Sequence, residues 1–331
     1  MADVSPYNKF AEKMFQKDSK YLPEILKAMI DDRQAELLVS LPGTVEDLSE
    51  KLSRPAGEIE KDLKDMFIKG LTFKKEKGGV LVWRGPSNIV QFHDASLLWP
   101  EAPREFIDLW VKYMEIEWPD MARLAAKVMP VPTFRVIPVG NSLDEDKSRV
   151  LALDEIKKIV DSATKLAVTN CTCRLTMKKC DRPVENCIQL NRGAEYALER
   201  GTGRELTVKE TMRLIEEAHE AGLVSVTMNM KNLEKVHVIC NCCGCCCETL
   251  PFIINDRAML NAPSRFCAEV DADSCSTCGD CEDRCWFNAI EVKNDAAEVD
   301  EEICMGCGLC VSTCPEEAIT MIEVRGPDFI P

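Results

Sequence analysis

Residues 275–285 read CSTCGDCEDRC, and residues 304–315 read CMGCGLCVSTCP. No other feature constrains the fold of this chain as tightly. Each run has the spacing C-x2-C-x2-C-x3-C. The offset between them is 29 residues throughout, from Cys275 to Cys304 and from Cys285 to Cys314. Gly279 pairs with Gly308, and Ala289–Ile290 with Ala318–Ile319. This is an internal duplication, and its unit is too short to bury a core alone.

The spacing suits iron–sulfur chemistry. Three cysteines two residues apart wrap a tight loop round one cluster. The fourth, expected at the start of a short helix, points away to another cluster. Gly279, Gly306 and Gly308 let the backbone come close. The region resembles the bacterial two-cluster ferredoxins over about residues 268–325. The resemblance implies one 4Fe–4S cluster on Cys275, Cys278, Cys281 and Cys314. It implies a second on Cys304, Cys307, Cys310 and Cys285. The family usually has proline after each fourth cysteine; Pro315 keeps the pattern and Trp286 departs from it. Zinc also takes four cysteines, but not in two interlocked runs of this kind. The resemblance implies an electron-carrying domain rather than a catalytic one.

Eleven of the 19 cysteines lie outside the duplication. Cys171, Cys173, Cys180 and Cys187 fall in NCTCRLTMKKCDRPVENC. Cys240, Cys242, Cys243, Cys245, Cys246 and Cys247 fall in VICNCCGCCCETL, and Cys267 stands alone. Both groups follow strand-like runs, KLAVTN before Cys171 and VHVIC ending in Cys240, and the ends of adjacent strands are where an α/β sheet presents ligands. Neighbouring cysteines on an extended chain point to opposite sides, so all six of the second group cannot serve one metal. Each group can supply a site, or the two can pool. One or two further 4Fe–4S clusters are expected here, with zinc as the alternative. Arg174, Lys178 and Lys179 flank the first group, as cations favouring a reduced cluster or as ordinary surface charges.

Nineteen cysteines need either an oxidising compartment or bound metal. The opening MADVSPYNKFAEKMFQKDSK lacks the apolar stretch of a secretory leader. No run of about 18 apolar residues occurs to span a membrane. A cytoplasmic protein with metal-bound thiolates is the expectation. The net charge of −15 is uneven: residues 267–331 carry −13 of it. That acidic end argues for docking on a basic redox protein or enzyme complex and against nucleic acid.

Patterning divides the chain into residues 1–90, 91–130, 131–266 and 267–331. The expected class is multidomain α+β. Helical patterns at Ile25, Met29 and Ile30 (continuing to Leu37 and Leu38), at Val45, Leu48 and Leu52, and at Ile59, Leu63, Met66 and Phe67 precede a hairpin turning at Gly78–Gly79. That order resembles a winged helix over about residues 22–85. Its third helix mixes Glu58, Glu60, Asp62 and Asp65 with Lys61, Lys64 and Lys69, a neutral face that suits docking better than DNA. The segment 91–130 carries Phe106, Leu109, Trp110 and Tyr113 on one helical face. Packing on a core is expected, with an oligomer or partner surface as the alternative. The cysteine-rich middle segment reads as α/β. Asp154 and the Thr207-x-x-Glu210 box are expected to cap two of its helices.

The chain has no phosphate-binding G-x-x-x-x-G-K-[ST] run, no G-x-S-x-G and no H-E-x-x-H. Gly201-Thr-Gly203 follows a helical run and lacks the third glycine of a dinucleotide site. What remains is an iron–sulfur protein passing single electrons between a middle metal site and a ferredoxin pair, as a component of an anaerobic redox system. The runner-up is an iron–sulfur oxidoreductase acting on a small substrate at the middle cysteines. A redox-sensing transcription regulator comes third.

Overall fold

The computed structural model describes residues 5–142 and 156–331. The chain forms two compact units, Met1–Pro119 and Asp120–Pro331.

The first unit runs α1 (Pro6–Lys13), α2 (Leu22–Lys27), α3 (Asp32–Ser40), α4 (Val45–Leu52) and α5 (Ala56–Ile68). The hairpin β1 (Phe73–Lys77) and β2 (Val80–Arg84) follows, then α6 (Ile89–Leu97) and α7 (Arg104–Ile116). The apolar pattern from Ile25 to Leu38 makes two helices rather than one. Asp31 turns to extended backbone and its carboxylate accepts from Gln34 N, which starts α3 afresh. Thr44 and Asp47 form a reciprocal capping box on α4. Phe106, Trp110 and Tyr113 on α7 are buried. Phe92 meets both Phe10 and Trp110 edge-on at 5.1 Å, so α7 packs on an aromatic core, as its pattern asks.

The division between the units falls within α8 (Trp118–Val128). The second unit is built on seven strands: β3 (Phe134–Val136), β4 (Leu166–Asn170), β5 (Glu185–Leu190), β6 (Gly203–Glu205), β7 (Val224–Met228), β8 (Val238–Cys242) and β9 (Asn261–Ala262). Their order is β6-β4-β5-β8-β7-β3-β9. Only β3 and β9 pair in parallel; the other contacts are antiparallel. Helices α9 (Ile156–Asp161), α10 (Thr172–Met177), α11 (Arg192–Glu199), α12 (Val208–Glu220) and α13 (Leu250–Asp256) punctuate the strands. Asp154, the expected cap of α9, lies outside the described residues. Thr207 and Glu210 do form the capping box of α12, whose Ile215 joins Ile159, Leu166, Val168 and Ile188 in one core.

The cysteine repeat follows with β10 (Phe266–Val270), α14 (Asp280–Arg284), β11 (Ile290–Lys293), β12 (Ala296–Val299) and β13 (Ile319–Glu323). β10 pairs antiparallel with β13, so the ends of the repeat are laced together, and β11 pairs with β12. A second core joins this fold to the large sheet. Phe287, Met305 and Leu309 pack with Val136, Val224, Val226, Leu250 and Ile253. Each such side chain contributes about 1.5–3 kcal/mol when fully buried.

Candidate metal centres

Two cavities lie within the repeat. One is lined by Cys275, Cys278, Cys281 and Cys314, with Val292, Ala297 and Ile319 about them. The other is lined by Cys285, Cys304, Cys307 and Cys310. The structure thus brings together the two crosswise sets named from the sequence. The internal symmetry reaches the hydrogen bonds: Ala289 N donates to Cys285 Sγ at 3.4 Å, and Ala318 N to Cys314 Sγ at 3.3 Å. One local expectation is corrected. Cys285 follows α14 as its C-cap, and Cys314 follows a 3-10 turn, Val311–Thr313, rather than opening a helix. Gly306 sits at φ +65°, where a Cβ would lie 2.1 Å from Phe266 O, so the loop closes on β10 only with glycine there.

Apolar walls with inward N–H donors suit an anionic cluster, whose thiolate ligands carry its charge. Residues 268–321 match the 4Fe-4S dicluster domain family. The chain therefore carries an iron–sulfur dicluster domain, joined to a cysteine-rich middle region. Comparison with curated proteins and with solved structures gave no match.

Cys267 was a lone thiol in the sequence. It is fully buried beside the second dicluster cavity. Its S–H reaches Cys304 Sγ, and that bond, with N–H groups of Ala268 and Gly306, brings Cys304 down to about 6 against the pull of burial. Ala268 O, which accepts from Cys267 Sγ at 3.5 Å, competes for that single S–H proton. A donor to a ligand sulfur stabilises the more negative, reduced cluster. Cys267→Ala is expected to lower the potential of that cluster by roughly 20–40 mV, the one-electron equivalent of about 0.5–1 kcal/mol. Redox titration followed by EPR measures it; an unchanged or raised potential would remove Cys267 from the tuning of the site.

The middle cysteines regroup across their two segments. Cys180, Cys243, Cys245 and Cys246 have all four sulfurs within 4.8 Å of one another. Cys180 Sγ lies 3.8 Å from Cys243 Sγ and 3.9 Å from Cys246 Sγ, and Cys245 lies 3.8 Å from Cys246. Of the six remaining middle thiols, Cys171, Cys173, Cys240, Cys242 and Cys247 neighbour one another in a second, looser group, the ring. Cys171 bonds Cys173, and Cys242 bonds both Cys240 and Cys247. Cys247 acts on the charge of Cys173, and Cys240 on that of Cys171. Cys187, on β5, takes no part in the compact group, and its Sγ accepts from Gln189 Nε2 at 3.2 Å. The two segments are thus pooled, an arrangement the sequence left open. They do not leave adjacent strands, because β5 lies between β4 and β8.

Local chemistry explains the partition. Cys240 and Cys242 alternate along β8 and keep to one side. The chain then turns at residues 244–246, which breaks the alternation and lets adjacent Cys245 and Cys246 face Cys180. Burial alone would raise the Cys180 thiol, but donors from Arg182 and neighbouring thiols bring it down to about 7. Cys247 also falls to about 7, through Cys242 first, with N–H donors from Leu250 and Thr249 opposing burial.

Two residues that the sequence treated as peripheral hold this region. Arg174 is buried, not a surface charge. Its guanidinium donates twice to Asn241 O at 3.0 Å, to Asn186 Oδ1, and to Cys243 Sγ at 3.7 Å. Trp286, in place of the usual proline, lies on Gly244: a Cβ there would stand 2.4 Å from the indole. Its Nε1 donates to Gly222 O at 2.7 Å, and the Arg182 guanidinium sits 4.7 Å over its ring. Trp286 follows Cys285 directly, so it carries the dicluster fold onto the middle thiols.

Proposed function

We propose that this chain is a cytoplasmic electron-transfer protein that passes single electrons between a middle-region centre and its 4Fe–4S pair. The observation that carries the reading is the contact at Trp286. The residue after a dicluster cysteine packs on the CCGCCC loop, so the redox fold and the middle thiols share one surface. Cys275, Cys278, Cys281 and Cys314 would hold one cluster; Cys285, Cys304, Cys307 and Cys310 the other. The loose ring of Cys171, Cys173, Cys240, Cys242 and Cys247 suits a further 4Fe–4S cluster. Bound clusters supply reversible one-electron chemistry; the protein supplies their distance, burial and hydrogen bonds.

The partner is a basic redox protein or an enzyme complex of anaerobic metabolism. The −13 charge of residues 267–331 supports this, since such a field steers a basic surface to the dicluster end. Among the described residues no helix is long and apolar enough to cross a membrane. The run α3–α4–α5–β1–β2 supports a winged-helix reading of the first unit. Charges on and around α5 are paired: Arg33 with Glu58, Arg54 with Asp62, Lys64 with Glu60 and Lys69 with Asp65. Little basic surface is left there for phosphates, which favours a docking role over DNA. The ring offers five thiols where a cluster takes four, and this surplus supports the second reading, a small-substrate oxidoreductase.

Anaerobically purified protein should contain about 8 iron atoms per chain for the dicluster pair and about 12 with the ring loaded. Replacing Cys171 and Cys173 together by serine leaves three ring thiols, so it should remove about 4 and leave the dicluster EPR signals in place. Iron constant at about 8 in both proteins would discard the ring centre. Dicluster signals that do not reduce and reoxidise in one-electron steps would discard the electron-transfer function itself.

A further inference from the structure

The compact thiol group differs in kind from the other cysteine sets. The dicluster sulfurs stand spread round the walls of their two sites. Cys180, Cys243, Cys245 and Cys246 instead close on one another, with separations of 3.8, 3.9 and 3.8 Å and every pair within 4.8 Å. A single zinc ion holds thiolates at about 2.3 Å, and the edge of a regular tetrahedron of that radius is about 3.8 Å. Each thiolate of a cubane binds a different iron corner, so those sulfurs must stand further apart. The compact group has the dimensions of one ion, and its sulfurs stand too close together to bind four separate iron corners.

We infer that Cys180, Cys243, Cys245 and Cys246 form a closed tetrathiolate site for one soft divalent ion of the zinc class, separate from every iron–sulfur cluster. The sequence favoured a cubane in this region, with zinc second; the sulfur spacing reverses that order for these four residues.

The surroundings suit a closed structural ion. Four thiolates on a divalent cation leave a net charge of −2. Arg174 donates to Cys243 Sγ at 3.7 Å, and Lys179 N to Cys246 Sγ at 3.4 Å. Arg182 donates to Cys180. All four positions are thiols, which leaves no open position for substrate and places the ion among structural sites. Its mechanical effect follows from its ligands. Cys180 belongs to the segment after α10, and the other three to the loop after β8. One ion therefore clips two segments more than 60 residues apart, on the loop where Trp286 rests.

The test needs no variant to begin with. X-ray absorption at the zinc edge of the full-length chain, prepared anaerobically with both iron and zinc supplied, should show one zinc per chain with four sulfurs at about 2.3 Å. Cys245→Ser should then lose the zinc, or replace one sulfur in its shell by a lighter atom, with iron content unchanged. A wild-type protein without zinc, or a Cys245→Ser protein that loses about four iron atoms, would overturn the assignment. So would zinc whose shell is the same in both proteins. Zinc and iron are counted separately, so failure here leaves the ring centre and the electron-transfer reading to stand or fall on their own iron count.

Discussion

Replacing Arg174 with alanine is expected to destabilise the second unit by about 3–5 kcal/mol, the cost of breaking a buried, hydrogen-bonded charge site from one side. The loss has three parts. Asn241 O loses both of its guanidinium donors, Asn186 Oδ1 loses one, and Cys243 Sγ loses its neighbouring cation. Each buried acceptor left without a donor costs about 1–3 kcal/mol. The network continues beyond Arg174: Asn241 Nδ2 donates to Asn186 O at 2.8 Å, and Ser225 Oγ donates to Asn241 Oδ1 at 2.8 Å. The effect should therefore spread along β7 and β8 instead of staying at one loop. A unit of this size shifts by about 2–4 °C per kcal/mol, so the melting temperature should fall by roughly 6–20 °C. Lysine should not restore it, because a point charge cannot serve acceptors in a planar fork. Thermal unfolding under anaerobic conditions, with zinc and iron measured on the same samples, checks both halves. A melting temperature within 2 °C of wild type with metal retained would show that Arg174 is not the anchor described here.

How far the sequence could anticipate this site depends on what the signal was made of. The grouping of the dicluster cysteines was legible because their spacing is local, repeated and rigid. Cys285 and Cys314 each line the site of the other repeat, and the 29-residue offset carries that exchange with it. The Thr207–Glu210 box and the strand before Cys171 were legible for the same reason, since caps and alternation act over a few residues; the strand expected to end at Cys240 instead begins at Val238 and carries both Cys240 and Cys242. The grouping of the middle thiols was not. Alternation assigns faces only while the chain stays extended, and it fails at the turn through Gly244. Lys178, at φ +49°, ends α10 in the left-handed region just before Cys180, and no residue type announces that bend. The sequence left Arg174 between a cation beside the thiols and an ordinary surface charge, because arginine is mostly exposed and its burial here depends on acceptors 12 and 67 residues away. Trp286 was visible only as a departure from proline; the glycine that receives it lies 42 residues earlier in the sequence.

That contact yields the second large effect. Gly244→Ala places a methyl group 2.4 Å from Trp286 Cε3 and 2.8 Å from Ile254 Cδ1, distances that real Cβ atoms essentially never show. The indole cannot simply swing aside, because its Nε1 bonds Gly222 O and Arg182 stacks on its face. Overpacking of this kind costs about 1–3 kcal/mol. The strain should also displace a loop carrying Cys243, Cys245 and Cys246. Trp286→Ala removes the obstacle but leaves a void and an unmatched Gly222 carbonyl, so it should be destabilising in its own right, by about 3 kcal/mol. If the two residues meet as described, the double variant should be more stable than the sum of the single effects predicts, by about 1–2 kcal/mol. Unfolding of the four proteins closes that cycle, and additive effects would mean that Gly244 and Trp286 do not touch. Trp286→Phe keeps a ring on Gly244 while losing the indole N–H to Gly222 O. It should hold most of the stability, falling short of wild type by about 1 kcal/mol for the lost hydrogen bond, so it separates the packing of the ring from its single polar contact.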